Sequence, residues 1–136
     1  MSELVGRLVD EVAFTVEAGK VLELARATGA TSPDHPARLA TATHVVVAAH
    51  HRDQQGFVDA LGLDITRVVV GSVAWEYARP LRVGDVLRGA RTVVADDTRE
   101  SRHGTLRRIT LETAYVDQDG AVPVRVTEVL VERPAR

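Results

Sequence analysis

The segment from Val70 to Val86 constrains the fold of this chain most, because it reads as one strand, a turn and the start of another strand. Its side chains alternate with a period of two, which indicates a strand whose two faces meet different surroundings. One face carries Val73, Trp75 and Tyr77, and the other carries Ala74, Glu76 and Ala78. Pro80 lacks a backbone donor where the strand ends, and Gly84 with Asp85 supplies the turn. The segment therefore predicts antiparallel sheet.

Length and charge restrict the class of protein. The 136 residues suit one domain spanning residues 1–136. A net charge of -2 gives no electrostatic reason to bind nucleic acid or an anionic membrane. The chain has no cysteine, which excludes disulfides and thiolate metal sites and fits a cytoplasmic location. No apolar run approaches the roughly 20 residues of a membrane helix, and the start lacks a secretion signal.

The first half of the chain predicts one strand and two or three helical segments. A strand around Val9 to Phe14 precedes a helix that Thr15 caps and Gly29 ends. Two prolines make Ala30 to Pro36 a loop. Leu39 to His51 contains the run Val-Val-Val-Ala-Ala, which favours a buried helix, although the valines also permit a strand. Gln54 to Leu61 is a further helical piece or an irregular turn.

The second half predicts four antiparallel strands that form a meander. The strands are expected at Arg67–Arg79, Val86–Ala95, Leu106–Val116 and Val122–Arg133. Asp117 to Gly120 is typical of a hairpin turn, since glycine adopts positive φ and aspartates bond their own backbone. Asp96 to Gly104 is charged and lacks apolar residues, which predicts a mobile connection. The predicted class is α+β, with an antiparallel curved sheet wrapped around a central apolar helix.

An apolar helix followed by Glu-Tyr-x-Arg-Pro-Leu-x-x-Gly-Asp, which spans Glu76 to Asp85, resembles the hotdog fold. The likeness is closest to the N-terminal, FAS1-like type of MaoC-like dehydratase. Phe14–Gly29 is similar to that family's opening helix, and Tyr115–Gly120 to its last hairpin. The resemblance implies a thioester substrate of coenzyme A or acyl carrier protein, no cofactor, and a homodimer or a heterodimer with another hotdog subunit. In some such heterodimers only the other chain carries the acid/base pair.

The resemblance also directs attention to the loop before the apolar helix. Dehydration of a 3-hydroxyacyl thioester needs a base, an acid, and donors at the thioester oxygen. Active family members carry these groups in the pattern Asp-x-Asn-Pro-x-His. Here the matching residues are Ala30-Thr31-Ser32-Pro33-Asp34-His35, so His35 is matched, but alanine stands in place of the aspartate. His35 is a candidate catalytic residue with adjacent Asp34 as a substitute partner, or else an exposed loop histidine.

Other titratable residues offer alternatives. His44 is a candidate acid or base if it faces a substrate tunnel. On an α-helix His44 and His51 share a face, while His50 points elsewhere; this spacing does not suit zinc, so no metal is expected. The simpler structural interpretation is that the histidines lie near the helix C-terminus, where a positive charge interacts favourably with the helix dipole.

Candidate substrate-binding residues are Trp75 and Tyr77 for an acyl pocket, and Arg107 and Arg108 for phosphate or a carrier protein. Core packing explains the aromatic pair equally simply. A solvated hairpin tip explains the basic cluster, which also includes Arg99 and Arg102.

Three functions follow from these observations. The first is a (R)-3-hydroxyacyl-thioester dehydratase or enoyl hydratase, or a subunit of one, with a degenerate Asp/His motif. The second is a non-catalytic subunit that binds acyl thioesters. The third is a hotdog thioesterase, for which Asp53 or Glu76 would supply the carboxylate.

Overall fold

The computed structural model describes residues 3–30 and 39–136. The strands within these ranges are β1 Leu8–Thr15, β2 Val68–Tyr77, β3 Val86–Ser101, β4 Gly104–Val116 and β5 Val124–Glu132. The α-helices are α1 Ala18–Ala27 and α2 Gln54–Ala60. Two segments are 3-10 helices, Ile65–Arg67 and His44–His51, and we call the second the buried 3-10 helix.

The five strands form one antiparallel sheet in the order β1-β3-β4-β5-β2. The predicted meander is wrong at one step, because β2 pairs with β5 rather than with β3. The connection after β2 leads from one edge of the sheet to β3, which lies beside β1 at the opposite edge. There Val16 N–H donates to the Asp85 carbonyl, and Gly84 N–H donates to the Val16 carbonyl. These bonds hold the start of β3 beside β1 and leave β2 at an edge.

Two hairpins join the later strands. The turn predicted at Asp117–Gly120 is confirmed: Gly120 has φ of 83°, and Asp117 Oδ1 accepts from the N–H groups of Asp119 and Ala121. The mobile connection predicted for Asp96–Gly104 is wrong. Asp96 to Ser101 continues β3 and pairs with Gly104 to Ile109. Arg107 binds Asp96, and Arg108 lies opposite Asp97, so oppositely charged side chains adjoin across the two strands.

The helices depart from prediction at their starts. The α1 helix begins at Ala18 after Glu17, so Thr15 belongs to β1 and caps nothing; Gly29 (φ 75°) follows its end as expected. Leu39 forms a bridge with Arg82 instead of a helical turn, and helix starts only at His44. It is a 3-10 helix of eight residues, longer than most segments of this type. Of the two alternatives for Gln54–Leu61, a helical piece or an irregular turn, the structure has the helix, α2, which Leu61 ends.

The core lies between the helices and one face of the sheet. Val45, Val47 and Ala48 of the buried 3-10 helix pack with residues of β1, β4 and β5. Phe57 and Leu61, at α2 and its end, pack against β3 and β4 in a second cluster. An apolar helical segment covered by an antiparallel sheet is thus the observed architecture, as the sequence predicts.

Candidate functional site

A slot lies between the buried 3-10 helix and the strands β2 and β5. Its volume is about 150 Å³. Its apolar walls are Val45, Val46, Ala48, Ala49, Val73, Trp75 and Val126. Its polar residues are Arg52, Gln54, Arg91, Tyr115 and Glu128. The slot therefore combines space for a small apolar group with a charged floor.

The floor is an ionic network centred on Asp10 of β1. Asp10 Oδ1 accepts from Arg52 Nη1 at 2.7 Å and from Arg91 Nε at 2.9 Å, and its Oδ2 accepts from Arg91 Nη2 at 2.6 Å. Arg52 Nη2 also donates to the Tyr115 hydroxyl at 3.0 Å. Arg91 Nη1 lies 3.5 Å from a carboxylate oxygen of Glu128.

Arg91 is enclosed on every side. Its side chain is 2% exposed, and its guanidinium lies 3.4 Å from the centroid of the Phe57 ring. A cation this deeply buried requires paired charges and hydrogen bonds. Two arginines face two carboxylates in the network, so its formal charges balance.

The network sets the ionisation of its members. Burial alone would raise the pKa of Asp10, but hydrogen bonds and charge attraction from Arg91 and Arg52 outweigh it and lower that pKa. Burial raises the pKa of the Tyr115 hydroxyl despite the nearby Arg52. Near neutral pH, Asp10 is therefore an anion and Tyr115 is a neutral phenol.

Strand periodicity places these groups, although sequence reasoning missed them. Arg91 lies between Gly89 and Val93 on the core face of β3, and Glu128 alternates with buried apolar residues of β5. The signal in the sequence was a charged residue two positions away from apolar residues of the same strand, which places its side chain on the face that they bury. A second signal is Gly89, where a Cβ would lie 2.6 Å from Tyr115 Cε1, so only glycine leaves room for that ring.

The histidine predictions have different outcomes. Asp34 and His35 lie outside the described residues, and their roles stay predictions. His44 is fully buried but is not among the residues that line the slot. In the part of the chain that the structure describes, neither of its ring nitrogens has a hydrogen-bond partner. Burial, with a smaller contribution from Lys20, lowers its pKa.

The expectation that His44 and His51 share a helix face is wrong. His51 is exposed, and its ring stacks on Phe14 with centroids 6.1 Å apart. The reason is the helix type, since about three residues per turn rotate two positions seven apart onto different faces. Across residues 3–30 and 39–136 no group of His, Cys, Asp or Glu is arranged to hold a metal ion.

The two aromatic candidates occupy different places. Trp75 lines the slot, whereas Tyr77 lines a separate cavity with Ala42 and Pro80. The Tyr77 hydroxyl donates a hydrogen bond to the Ala42 carbonyl oxygen. Burial, together with the neighbouring Tyr115, raises the pKa of Tyr77 to about 12. Tyr77 is thereby a neutral donor that ties β2 to the segment before the buried 3-10 helix.

The predicted basic cluster is divided between two faces. Arg107 binds Asp96 through Nε and Nη2 at 3.1 and 3.0 Å, on the side of the sheet that carries α2. Arg108 is exposed, lies opposite Asp97 across the ribbon and points to the other side. Neither lines the slot.

The carboxylates considered for a thioesterase also lie elsewhere. Asp53 caps α2 by accepting from Gly56 N–H, and Glu76 is exposed on β2.

The motif that suggested the fold is a structural clasp. Arg79 donates to both carboxylate oxygens of Asp85, at 2.8 and 3.1 Å, and to Asp117 at 3.0 Å. Asp85 Oδ2 also accepts from Arg82 N–H. One guanidinium thus joins the β2–β3 connection to the β4–β5 hairpin, away from the slot.

Comparison with known proteins identifies the family. A family model described as "FAS1-like, dehydratase domain region" matches residues 3–126. The chain belongs to this FAS1-like dehydratase family. It is also 36% identical, over 96% of its length and 94% of the relative, to a UPF0336 protein of Clavibacter michiganensis subsp. michiganensis (strain NCPPB 382).

Solved structures confirm the hotdog fold of this FAS1-like dehydratase chain. The MaoC-like dehydratase of Rhodospirillum rubrum is 22% identical, with a TM-score of 0.65, covering 96% of this chain and 94% of that one. A chain of the HadBC (3R-hydroxyacyl-ACP dehydratase) complex of Mycobacterium tuberculosis is 18% identical, with a TM-score of 0.68, covering 96% and 98%. No helix in the described parts of the chain is long and apolar enough to cross a membrane.

Proposed function

We propose that the chain is a subunit of a (R)-3-hydroxyacyl-thioester dehydratase, which in reverse is an enoyl-thioester hydratase. The substrate is the acyl thioester of coenzyme A or of an acyl carrier protein. The slot between the buried 3-10 helix and β2 carries this proposal, because its apolar walls and polar floor suit a short acyl segment. Membership of the FAS1-like dehydratase family supports the reaction class.

The exposed edge strand β2 supports the proposal that a second hotdog subunit binds this chain. Residues directly opposite each other in the β2–β5 pair share a face, which places Val70, Val73 and Trp75 on the side that carries the buried 3-10 helix. Their exposed fractions are nevertheless 61%, 38% and 37%. An edge of ten residues with uncovered apolar side chains is a surface for strand pairing. In the proposed dimer, the slot lies at the subunit boundary.

The acid and base of the reaction are proposed to come from the partner subunit. No histidine lines the slot among the described residues, and alanine stands at position 30 where active family members resembled by this chain carry aspartate. His35 with Asp34, or His44, are the candidates within this chain. In the preferred form of the proposal, this chain holds the acyl group while a second hotdog chain moves the protons.

Hydration of crotonyl-CoA tests the proposal. The chain is purified alone and after co-expression with a hotdog chain that carries the complete Asp-x-Asn-Pro-x-His pattern. We expect hydration only by the complex. With His35→Ala or His44→Leu in this chain, the complex should hydrate crotonyl-CoA at a rate within about twofold of the wild-type complex. Neither change removes an acid or base that acts on the substrate.

Other results would redirect the assignment. Hydration by the chain alone, abolished by His35→Ala, would place catalysis in this subunit. Release of free thiol from the thioester, without hydration, would identify a thioesterase. Failure of every preparation to bind or convert acyl thioesters would reject the proposed function.

A further inference from the structure

Glu128 places a carboxylate on the apolar side of β5. It alternates with Val126 and Leu130, both buried, and lies opposite Val73 of β2. Its side chain is 23% exposed and forms part of the slot lining. A carboxylate at such a position has lost much of its contact with water and needs hydrogen-bond donors in exchange.

The structure supplies few donors to this carboxylate. Among the described residues its one ionic contact is Arg91 Nη1 at 3.5 Å, beyond ordinary hydrogen-bond length. Asp10 instead receives three bonds of 2.6 to 2.9 Å from Arg52 and Arg91. Glu128 therefore keeps acceptor capacity that faces the slot.

The arginines of the floor do not offer a matching site for an anion. Both already bind Asp10, and Arg52 also donates to Tyr115. A negatively charged group in the slot would meet the Glu128 carboxylate, while the two basic residues among its described lining, Arg52 and Arg91, are already paired with Asp10. The chemistry of the floor thus favours a neutral group with an O–H donor over a carboxylate.

We propose that Glu128 is a specificity-determining residue of the slot, which accepts a hydrogen bond from a hydroxyl group on the bound acyl chain. The inference rests on the proposed function and identifies the residue of this chain that distinguishes a hydroxylated acyl chain from its saturated counterpart. The slot volume of about 150 Å³ corresponds to about five water-sized groups, so a hydroxyl on a short acyl segment lies close to the floor. A saturated chain of equal length leaves the carboxylate desolvated and facing methylene groups.

Calorimetric titration with two pantetheine thioesters tests this inference. The probes are (R)-3-hydroxybutyryl-pantetheine and butyryl-pantetheine, which differ only in the hydroxyl. The protein is the chain together with its hotdog partner, whose motif histidine is replaced by alanine so that the hydroxylated probe is not converted. Wild type should bind the hydroxylated probe at least about tenfold more tightly, which is the lower end of the discrimination expected from one hydrogen bond to a charged group. Glu128→Leu should abolish this preference. Glu128→Gln should retain part of it, because an amide oxygen still accepts.

Glu112→Gln is the matched control. Glu112 lies on β4, pairs with Arg125 at 3.5 Å outside the slot, and should keep the wild-type preference. Thermal unfolding of each variant verifies its fold. Equal affinity of wild type for the two probes would overturn the role of Glu128 while leaving the proposed function in place. An unchanged preference in folded Glu128→Leu would also overturn it, whereas no binding of either probe to wild type would reject both proposals.

Discussion

Two basic side chains, Arg91 and His44, are buried in different protonation states, the first charged and the second neutral. Arg91 is surrounded by Asp10, Glu128 and the Phe57 ring, so its charge is compensated. His44 is equally buried, yet in the described residues its ring nitrogens lack partners, and it is held neutral. Strand periodicity places Arg91 on the core face, but only the tertiary contacts show that Arg91 is paired and that His44 is buried.

Replacement of His44 by leucine should stabilise the protein and change its response to acid. The two buried ring nitrogens find no partner among residues 3–30 and 39–136, which costs about 1–3 kcal/mol that leucine recovers at neutral pH. In wild type the pKa of His44 lies below its ordinary 6.5. The unfolded chain therefore takes up a proton before the folded chain does. Stability is full above pH 6.5 and falls below it, by about 1.4 kcal/mol per unit of pKa lowering.

Urea unfolding at about pH 7.5 and about pH 5.5 measures this effect. In His44→Leu, the part of the loss in unfolding free energy between these two pH values that His44 causes should be absent. His50→Gln is the control for loss of a histidine from the same helix; His50 is exposed, so its replacement should not stabilise the protein at neutral pH. Equal pH dependence in wild type and His44→Leu would contradict the prediction.

Gly89→Ala should destabilise the protein through the Tyr115 ring. The new Cβ would meet Tyr115 Cε1 at 2.6 Å and Thr113 Cγ2 at 2.9 Å. Moving the ring also disturbs the hydrogen bond from Arg52 to its hydroxyl. We expect a loss of about 1–3 kcal/mol in the free energy of unfolding. Gly19→Ala is the control, because open space surrounds Gly19 in α1; equal effects of both changes would argue against the steric cause.

At the scale of elements, the order of the strands is decided by the connection between β2 and β3. Alternation predicts each strand, and their limits differ from the expected ones by a few residues except at the β3–β4 ribbon. Pairing order depends on contacts distant in sequence, such as Arg79 with Asp117 and Val16 with Asp85. Such contacts leave no local pattern.

Arg79→Ala should remove the ionic bonds of the clasp to Asp85 and Asp117 and raise the pH at which the protein unfolds in acid. Burial opposes ionisation of Asp85, but the hydrogen bonds from Arg79 and Arg82 lower its pKa. The stabilisation is present above the ordinary value of 3.8 and is lost as pH falls through the lower folded value. Without Arg79 this loss begins at higher pH. We expect Tm to drop by about 5 °C or more at neutral pH.

Thermal melts between neutral and acidic pH compare this variant with Arg79→Lys. Lysine keeps the charge but loses the two-pronged geometry, so its Tm should be intermediate. A melting profile of Arg79→Ala identical to wild type would show that the clasp contributes nothing.

At the scale of the whole molecule, the uncovered edge strand β2 predicts association. Val70→Lys places a charge at the most exposed apolar position of that edge. It should convert the proposed dimer, whether of two such chains or with a hotdog partner, into monomer, and it should lower the Tm of the isolated chain by no more than a few degrees. Light scattering after size exclusion measures the mass. Arg125→Lys is the control, because Arg125 lies on the inner strand β5, which already pairs with both β2 and β4. A Val70→Lys dimer of unchanged mass would place the interface elsewhere.

The sequence by itself determined the local elements and the motif that leads to the hotdog fold, because side-chain alternation, turn glycines and apolar runs act over a few residues. Only the tertiary structure decided the pairing of β2 with β5, the 3-10 form of the buried helix, and the Asp10–Arg52–Arg91 network. Those features depend on side chains distant in sequence, which meet only after the sheet has closed over the helix and removed them from water.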